Sequence, residues 1–206
     1  MTGCSAPAVS STTEALRRPQ LVLASSSPRR RELLAMIGLS FTAVPAEVDE
    51  TASSADTPLS LVSRLSQAKA AAVAQRYPQA LVLAADTTVE LAGTVLEKPR
   101  NTAENREFMV RLSGRSHTVH TGHTLAWQGR TAHEVVTSTV TFRALTPGEI
   151  AWYVATGEGL DKAGGYGIQG FGAVLVSSIC GCYFNVVGLS LATVATLARR
   201  LGVSLV

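Results

Sequence analysis

The chain has 206 residues, 46% hydrophobic and 16% charged, which is ample material for one sizeable core and unlike a disordered composition. A net charge of +3 is well short of the basic density of a nucleic-acid binder, and 5% aromatic residues are too few for a base-stacking surface. No apolar run approaches a membrane span, and three cysteines (Cys4, Cys180, Cys182) form neither a disulfide framework nor a four-ligand zinc motif. Neither nucleic acid nor membrane is expected as a partner, and a reducing compartment is expected.

Residues 1–19 are rich in Ser, Thr, Ala and Pro and lack the apolar stretch of a secretory signal, so they read as a flexible extension. Residues 20–206 read as a single domain. Leu21-Val22-Leu23-Ala24 predicts a buried strand. Ser27 follows as an N-cap with Pro28 at the first helical position, and Leu33, Leu34 and Ile37 form the apolar face of a helix. Phe41 to Val44 reads as a strand, and Thr57-Pro58 opens a second helix with Leu61, Val62, Leu65 and Ala68 at helical spacing. Leu81 to Ala85 is a third apolar run. Asn101 and Glu104 make a capping box for a helix carrying Phe108, Met109 and Leu112.

The middle of the chain changes period. Val119 to Trp127 and Glu134 to Phe142, joined by Gln128-Gly129, predict a half-exposed antiparallel hairpin, since Val136, Ser138, Val140 and Phe142 alternate with threonines. Thr146 with Glu149 caps the next helix. A glycine-dense loop runs from Asp161 to Gly172, and strands are expected at Val174 to Ile179 and Phe184 to Val187. Leu189 to Leu201 closes the chain as an amphipathic helix. Strands alternating with helices, with one antiparallel insertion, predict a mixed α/β sheet flanked by helices.

Several constellations carry chemistry. Ser25-Ser26-Ser27-Pro28-Arg29-Arg30-Arg31 places hydroxyls and cations at a helix N-terminus, where unpaired N–H groups already attract an anion; a solvated basic turn is the alternative. Asp49-Glu50 is a loop carboxylate pair, a pattern also common on ordinary surfaces. Asp86-Thr87, at the carboxyl end of an apolar strand, stands where α/β sheets place ligands; Asp86 there can hold a cation, take a proton from water, or be satisfied by amides. Lys69 and Lys98 are candidate point charges for phosphate. In the Asp161–Gly170 segment the glycines permit close backbone approach to a ligand, and Gln169 offers both a donor and an acceptor. His117, His120 and His123 suit a helical metal site by spacing, but their Thr- and Val-rich surroundings predict a strand, which splits them between two faces.

Taken in order, these segments resemble the motifs of the Maf proteins: Ser25-x-Ser27-Pro28-Arg29-Arg30-x-Glu32-Leu33-Leu34, Asp49-Glu50, Lys69, Ala85-Asp86-Thr87 and Glu97-Lys98-Pro99, then Asp161-Lys162-Ala163-Gly164-x-Tyr166-Gly167-Ile168-Gln169 and Asn185-Val186-Val187-Gly188. The resemblance spans Leu21 to Leu201. It implies metal-dependent cleavage of a nucleoside triphosphate to the monophosphate and pyrophosphate, in a cytoplasmic homodimer whose site lies in a cleft between two lobes. The Gly167–Gly170 segment resembles the dTTP/UTP branch rather than the one acting on 7-methyl-GTP. The resemblance further implies that Arg29, Thr87 and Gln169 govern substrate choice and that Asp86 is the proton acceptor. On this basis Glu50 and Asp86 are expected to hold Mg²⁺ or Mn²⁺, and Ser27, Arg30, Lys69 and Lys98 to bind substrate. The same resemblance raises an alternative, a nucleotide-binding regulator of septum formation with little turnover.

Overall fold

In a computed structural model the described residues are 19–53 and 56–205. The expected extension lies outside them apart from Pro19, and Cys4 lies outside them too. The elements run β1 (Leu21–Leu23), α1 (Pro28–Met36), β2 (Phe41–Ala43), α2 (Pro58–Arg76), β3 (Leu81–Leu91), β4 (Thr94–Leu96) and α3 (Thr102–Leu112). They continue with β5 (Ser116–Trp127), β6 (Arg130–Phe142), α4 (Pro147–Ala155), three short 3-10 turns between Glu158 and Leu175, β7 (Val176–Cys180), α5 (Tyr183–Val187) and α6 (Leu191–Arg200).

One mixed seven-stranded sheet carries the structure, in the order β2-β1-β3-β5-β6-β7, with β4 added beside β3. β1 pairs in parallel with β2 and β3, and the remaining pairings are antiparallel. The apolar run Leu21 to Ala24 follows from burial on both faces: Leu21 and Leu23 enter one core cluster, Val22 and Ala24 the other. The same alternation runs up β3, where Leu81, Leu83 and Ala85 face one layer and Val82 and Ala84 face α2.

β3 is the element that makes room for a site. One of its edges pairs with β5 continuously from Val82 to Glu90. The other pairs with β1 only over Leu81–Leu83 and with β4 only over Val89–Leu91. Between those two partners the edge is open, and Asp86 and Thr87 lie in the gap. The strand is therefore much longer than the predicted Leu81–Ala85, and Asp86 is mid-strand rather than terminal. It nonetheless lies beyond the carboxyl end of β1, where the parallel part of the sheet stops.

α2 lies unusually close to β5. A Cβ built on Gly122 would fall onto the Val62 carbonyl oxygen, 2.7 Å from the Val62 carbonyl carbon and 2.8 Å from Ser66 Oγ. Gly122 is opposite Asp86 in the ladder, so this glycine lets α2 settle against the sheet where Asp86 projects.

The hairpin extends the sheet and is longer than predicted, with Gln128 and Gly129 both at positive φ (49° and 75°), as a tight right-twisted turn requires. β5 is buried almost throughout, because β3 and β6 flank it and helices cover it; only β6 shows the expected half-exposure. Phe184 to Val187 is helix α5, not the expected strand. A four-residue segment does not distinguish the two, and here Gly188 at φ 119° ends a short helix. Val174 belongs to a 3-10 turn ahead of β7. Ile37 lies outside α1 and is 37% exposed, since Gly38 at φ 72° turns the chain away. Asn101 caps α3 by accepting from the Glu104 N–H, but Glu104 turns back to the Arg100 N–H and guanidinium, so the capping box is only half formed. The Thr146–Glu149 box is complete.

Candidate active site

A cleft of about 570 Å³ opens at the gap in β3, and Ser27, Arg29, Arg30, Glu50, Lys69, Asp86, Thr87, Lys98 and Gln169 all line it. Segments from both halves of the chain thus converge on one space, as the sequence motifs led us to expect.

On the α2 side, Lys69 Nζ lies 2.6 Å from Asp86 Oδ1 and 2.7 Å from Glu50 Oε1. Asp86 and Lys69 are buried, whereas Glu50 is 54% exposed at the mouth. Two carboxylates converging on a single cation form a small oxygen-lined seat with further oxygens unspent. That donor set fits a hard divalent cation, which typically takes one or two protein carboxylates and completes its shell with water and substrate phosphate.

On the opposite face of β3, Thr87 belongs to a directed chain. Arg30 Nη2 donates to Thr87 Oγ1 at 3.0 Å, and Thr121 Oγ1 donates to the Asn185 carbonyl at 3.0 Å. Thr87 and Thr121 hydroxyls are themselves 3.0 Å apart. Because Thr121 has a single proton and it goes to Asn185, the proton between the two threonines belongs to Thr87. Arg30 also donates to the Gly188 carbonyl at 2.8 Å and to Ser25 Oγ at 3.1 Å. All of its acceptors are neutral. Burial lowers its pKa, opposed by the Asp86 charge; the guanidinium touches no counterion among the described residues, which favours an anionic ligand.

Ser27 stands at the N-cap position of α1 with extended backbone, but its side chain makes no capping bond. The first N–H groups of α1 are therefore left for an anion. Arg29 reaches across to Asp161 at 3.6 Å, and Lys162 meets Asp161 at 2.6 Å. Lys98 is exposed and has no ion pair among the described residues, and the Gln169 amide likewise has no hydrogen-bond partner among them.

The histidines divide as a strand dictates, each with its own partner. His117 Nε2 bonds the Tyr166 hydroxyl at 2.8 Å, His120 lies between Glu90 and Thr137, and His123 Nε2 accepts from the Ser190 N–H. Burial pushes His117 and His123 down to about 4, so both are neutral packing groups. Sequence reasoning did not single out Thr121 or Glu158, and it marked Asn185 only as part of a motif, with no role. Their roles depend on partners distant in sequence, which no local pattern reveals.

Fold and site together define a mixed α/β protein with an anion-receiving cleft that sets carboxylates against cations. The sequence model of the Maf-like protein family matches residues 20–201, and the chain belongs to that family. A dTTP/UTP pyrophosphatase of Moorella thermoacetica is 53% identical over 187 residues, covering 89% of this chain and 96% of the relative. One from Myxococcus xanthus is 51% identical over 188 residues, 90% of this chain and 94% of the relative. Among solved structures, a HAM1 protein from Coxiella burnetii aligns with TM-score 0.44 and 17% identity over 76% of this chain and 91% of that chain. No helix among the described residues is long and apolar enough to cross a membrane.

Proposed function

We propose that this chain is a nucleoside triphosphate pyrophosphatase that hydrolyses dTTP and UTP to the monophosphate and pyrophosphate. The observation that carries the reading is the single cleft in which Asp86 and Glu50 face Arg29, Arg30 and Lys98, with Lys69 between the two carboxylates. The names of the relatives support the choice of nucleotide.

Asp86 accepts the proton of a water as its oxygen attacks the α-phosphorus. The bond from that phosphorus to the bridging oxygen breaks, and pyrophosphate leaves with the electron pair. Arg29, Arg30, Lys69 and Lys98 neutralise the triphosphate and the charge that builds on the leaving group. Glu50 and Asp86 would hold a divalent cation, Mg²⁺ or Mn²⁺, whose chemistry when bound is to polarise phosphate oxygens and acidify water. Gln169 donates to a pyrimidine carbonyl and accepts from the ring N3–H. Ser27 and Thr87 flank the substrate on the α1 side of the cleft.

Incubation with one triphosphate at a time, with added inorganic pyrophosphatase and phosphate detection, should give turnover highest with dTTP and UTP. EDTA should abolish it and added Mg²⁺ or Mn²⁺ restore it. Absence of turnover with every nucleotide would instead favour the septum-regulator alternative. Gln169→Ala should raise KM for dTTP by about tenfold, the cost of one lost polar contact of 1–3 kcal/mol. An unchanged KM would remove Gln169 from base binding. The reading also includes a homodimer in the cytoplasm, a single domain over 20–206 and an extension over 1–19. Sedimentation of the full chain tests the first of these.

A further inference from the structure

Base selection by the Gln169 side chain alone meets a chemical difficulty. The two ends of a glutamine amide are a donor and an acceptor, and the group can turn over about its terminal torsion. Gln169 alone would therefore meet a thymine edge and a cytosine edge equally well. Discrimination needs a frame that cannot turn over, and the loop around Gln169 has one.

Glu158 holds that loop from behind. Its Oε1 accepts from the Phe171 N–H at 2.9 Å, and its Oε2 accepts from the Gly172 N–H at 2.9 Å and from the Tyr153 hydroxyl at 3.0 Å. Tyr153, fully buried on α4, in turn accepts from the Gly167 N–H at 3.1 Å. The segment Ile168–Gly170 is thus gripped on both flanks, by Tyr153 before it and Glu158 after it. The glycines are there to admit the carboxylate. A Cβ on Gly170 would fall onto Glu158 Oε1, 2.9 Å from Glu158 Cδ, and one on Gly167 would stand 2.8 Å from Lys162 Cε and 3.3 Å from Glu158 Cδ. Glu158 is anchored at its own backbone as well: its N–H donates to Thr156 Oγ1 at 3.1 Å, and its carbonyl accepts from Lys162 Nζ at 2.6 Å. Glu158 does not line the cleft, and its carboxylate is spent on the loop rather than offered to a ligand.

We propose that Glu158 is a positioning residue for base selection: by clamping Gly167–Gly172 it holds the Gln169 peptide frame in the one orientation that matches a thymine or uracil edge. A carboxylate suits this task because it only accepts, and every neighbour that faces it is a donor. In Glu158→Gln the new amide turns an N–H₂ toward one of those donors, so one grip is lost while the side-chain shape is kept. The inference rests on the pyrophosphatase reading, and wild-type kinetics separate the two: if wild type hydrolyses no nucleotide, the reading itself fails.

The test is kcat/KM for dTTP and for dCTP in wild type, Glu158→Gln and Tyr153→Phe. Preference for dTTP over dCTP should fall about tenfold in Glu158→Gln, mostly through a higher KM for dTTP, with kcat changed by less than about threefold. Tyr153→Phe keeps the core volume and removes the grip on Gly167 together with the hydroxyl's bond to Glu158 Oε2, so it should show a loss in the same direction, and it carries the test if Glu158→Gln does not fold. A merely structural role would lower activity with both nucleotides alike. An unchanged dTTP:dCTP ratio in the variants that fold would overturn the proposal.

Discussion

Asp86→Asn is expected to lower the turnover of dTTP by about 10³-fold, within the range for loss of a positioned proton acceptor. The amide keeps the size of the side chain and removes its capacity to take a proton from the attacking water. Lys69 retains its contact with Glu50 at 2.7 Å, so α2 stays in place and the fold should survive. Because the substitution removes the proton acceptor and leaves Arg29, Arg30 and Lys98 untouched, kcat should fall far more than KM rises. Initial rates over a range of dTTP, with circular dichroism to establish folding, measure this directly. Near-normal release of pyrophosphate by a folded Asp86→Asn variant would mean that another group takes the proton.

Gly122→Ala should damage stability and activity together, although Gly122 touches no ligand. The nearest obstacle to a new methyl group is the backbone carbonyl of Val62, which has no rotamer to yield, so α2 must move off the sheet. Overpacking of this kind costs about 1–3 kcal/mol, and for a chain of this size it should lower Tm by about 2–12 °C. The displaced helix carries Lys69, which lies only 2.6 Å from Asp86. A misplacement of about 1 Å at such a site costs up to 10²-fold in rate. Adding Ser66→Ala should not rescue the variant, because that hydroxyl is the lesser obstacle. A Gly122→Ala protein with unaltered Tm and turnover would refute the close approach of helix and strand.

Both expectations concern a part of the site that was only half legible in the sequence. Local chemistry announced its pieces. An apolar run followed by serines, Pro28 and arginines reads as strand, loop and helix start, because capping and proline geometry act over a few residues. The Thr/Val alternation of β6 and the Gln128-Gly129 turn declare a hairpin for the same reason. Where a segment was too short to show a period, local reading failed: Phe184 to Val187 is a helix. The half-formed capping box at Asn101 failed differently, since Arg100 competes for the Glu104 carboxylate with an opposite charge that a propensity argument does not weigh.

Composition, period and motif order were enough to determine that this chain builds a mixed α/β sheet, that it belongs with the Maf-like proteins, and which side chains to watch. Only the tertiary structure decided what those side chains do to one another. It put Lys69 between two carboxylates, gave Arg30 three neutral acceptors, including a carbonyl 158 residues away, and set Glu158 behind the loop that carries Gln169. The physical reason is range: dihedral preference, capping and periodicity couple neighbours along the chain. The open edge of β3 and the close seat of α2, by contrast, arise from strand pairing and packing between segments that meet only in the folded sheet.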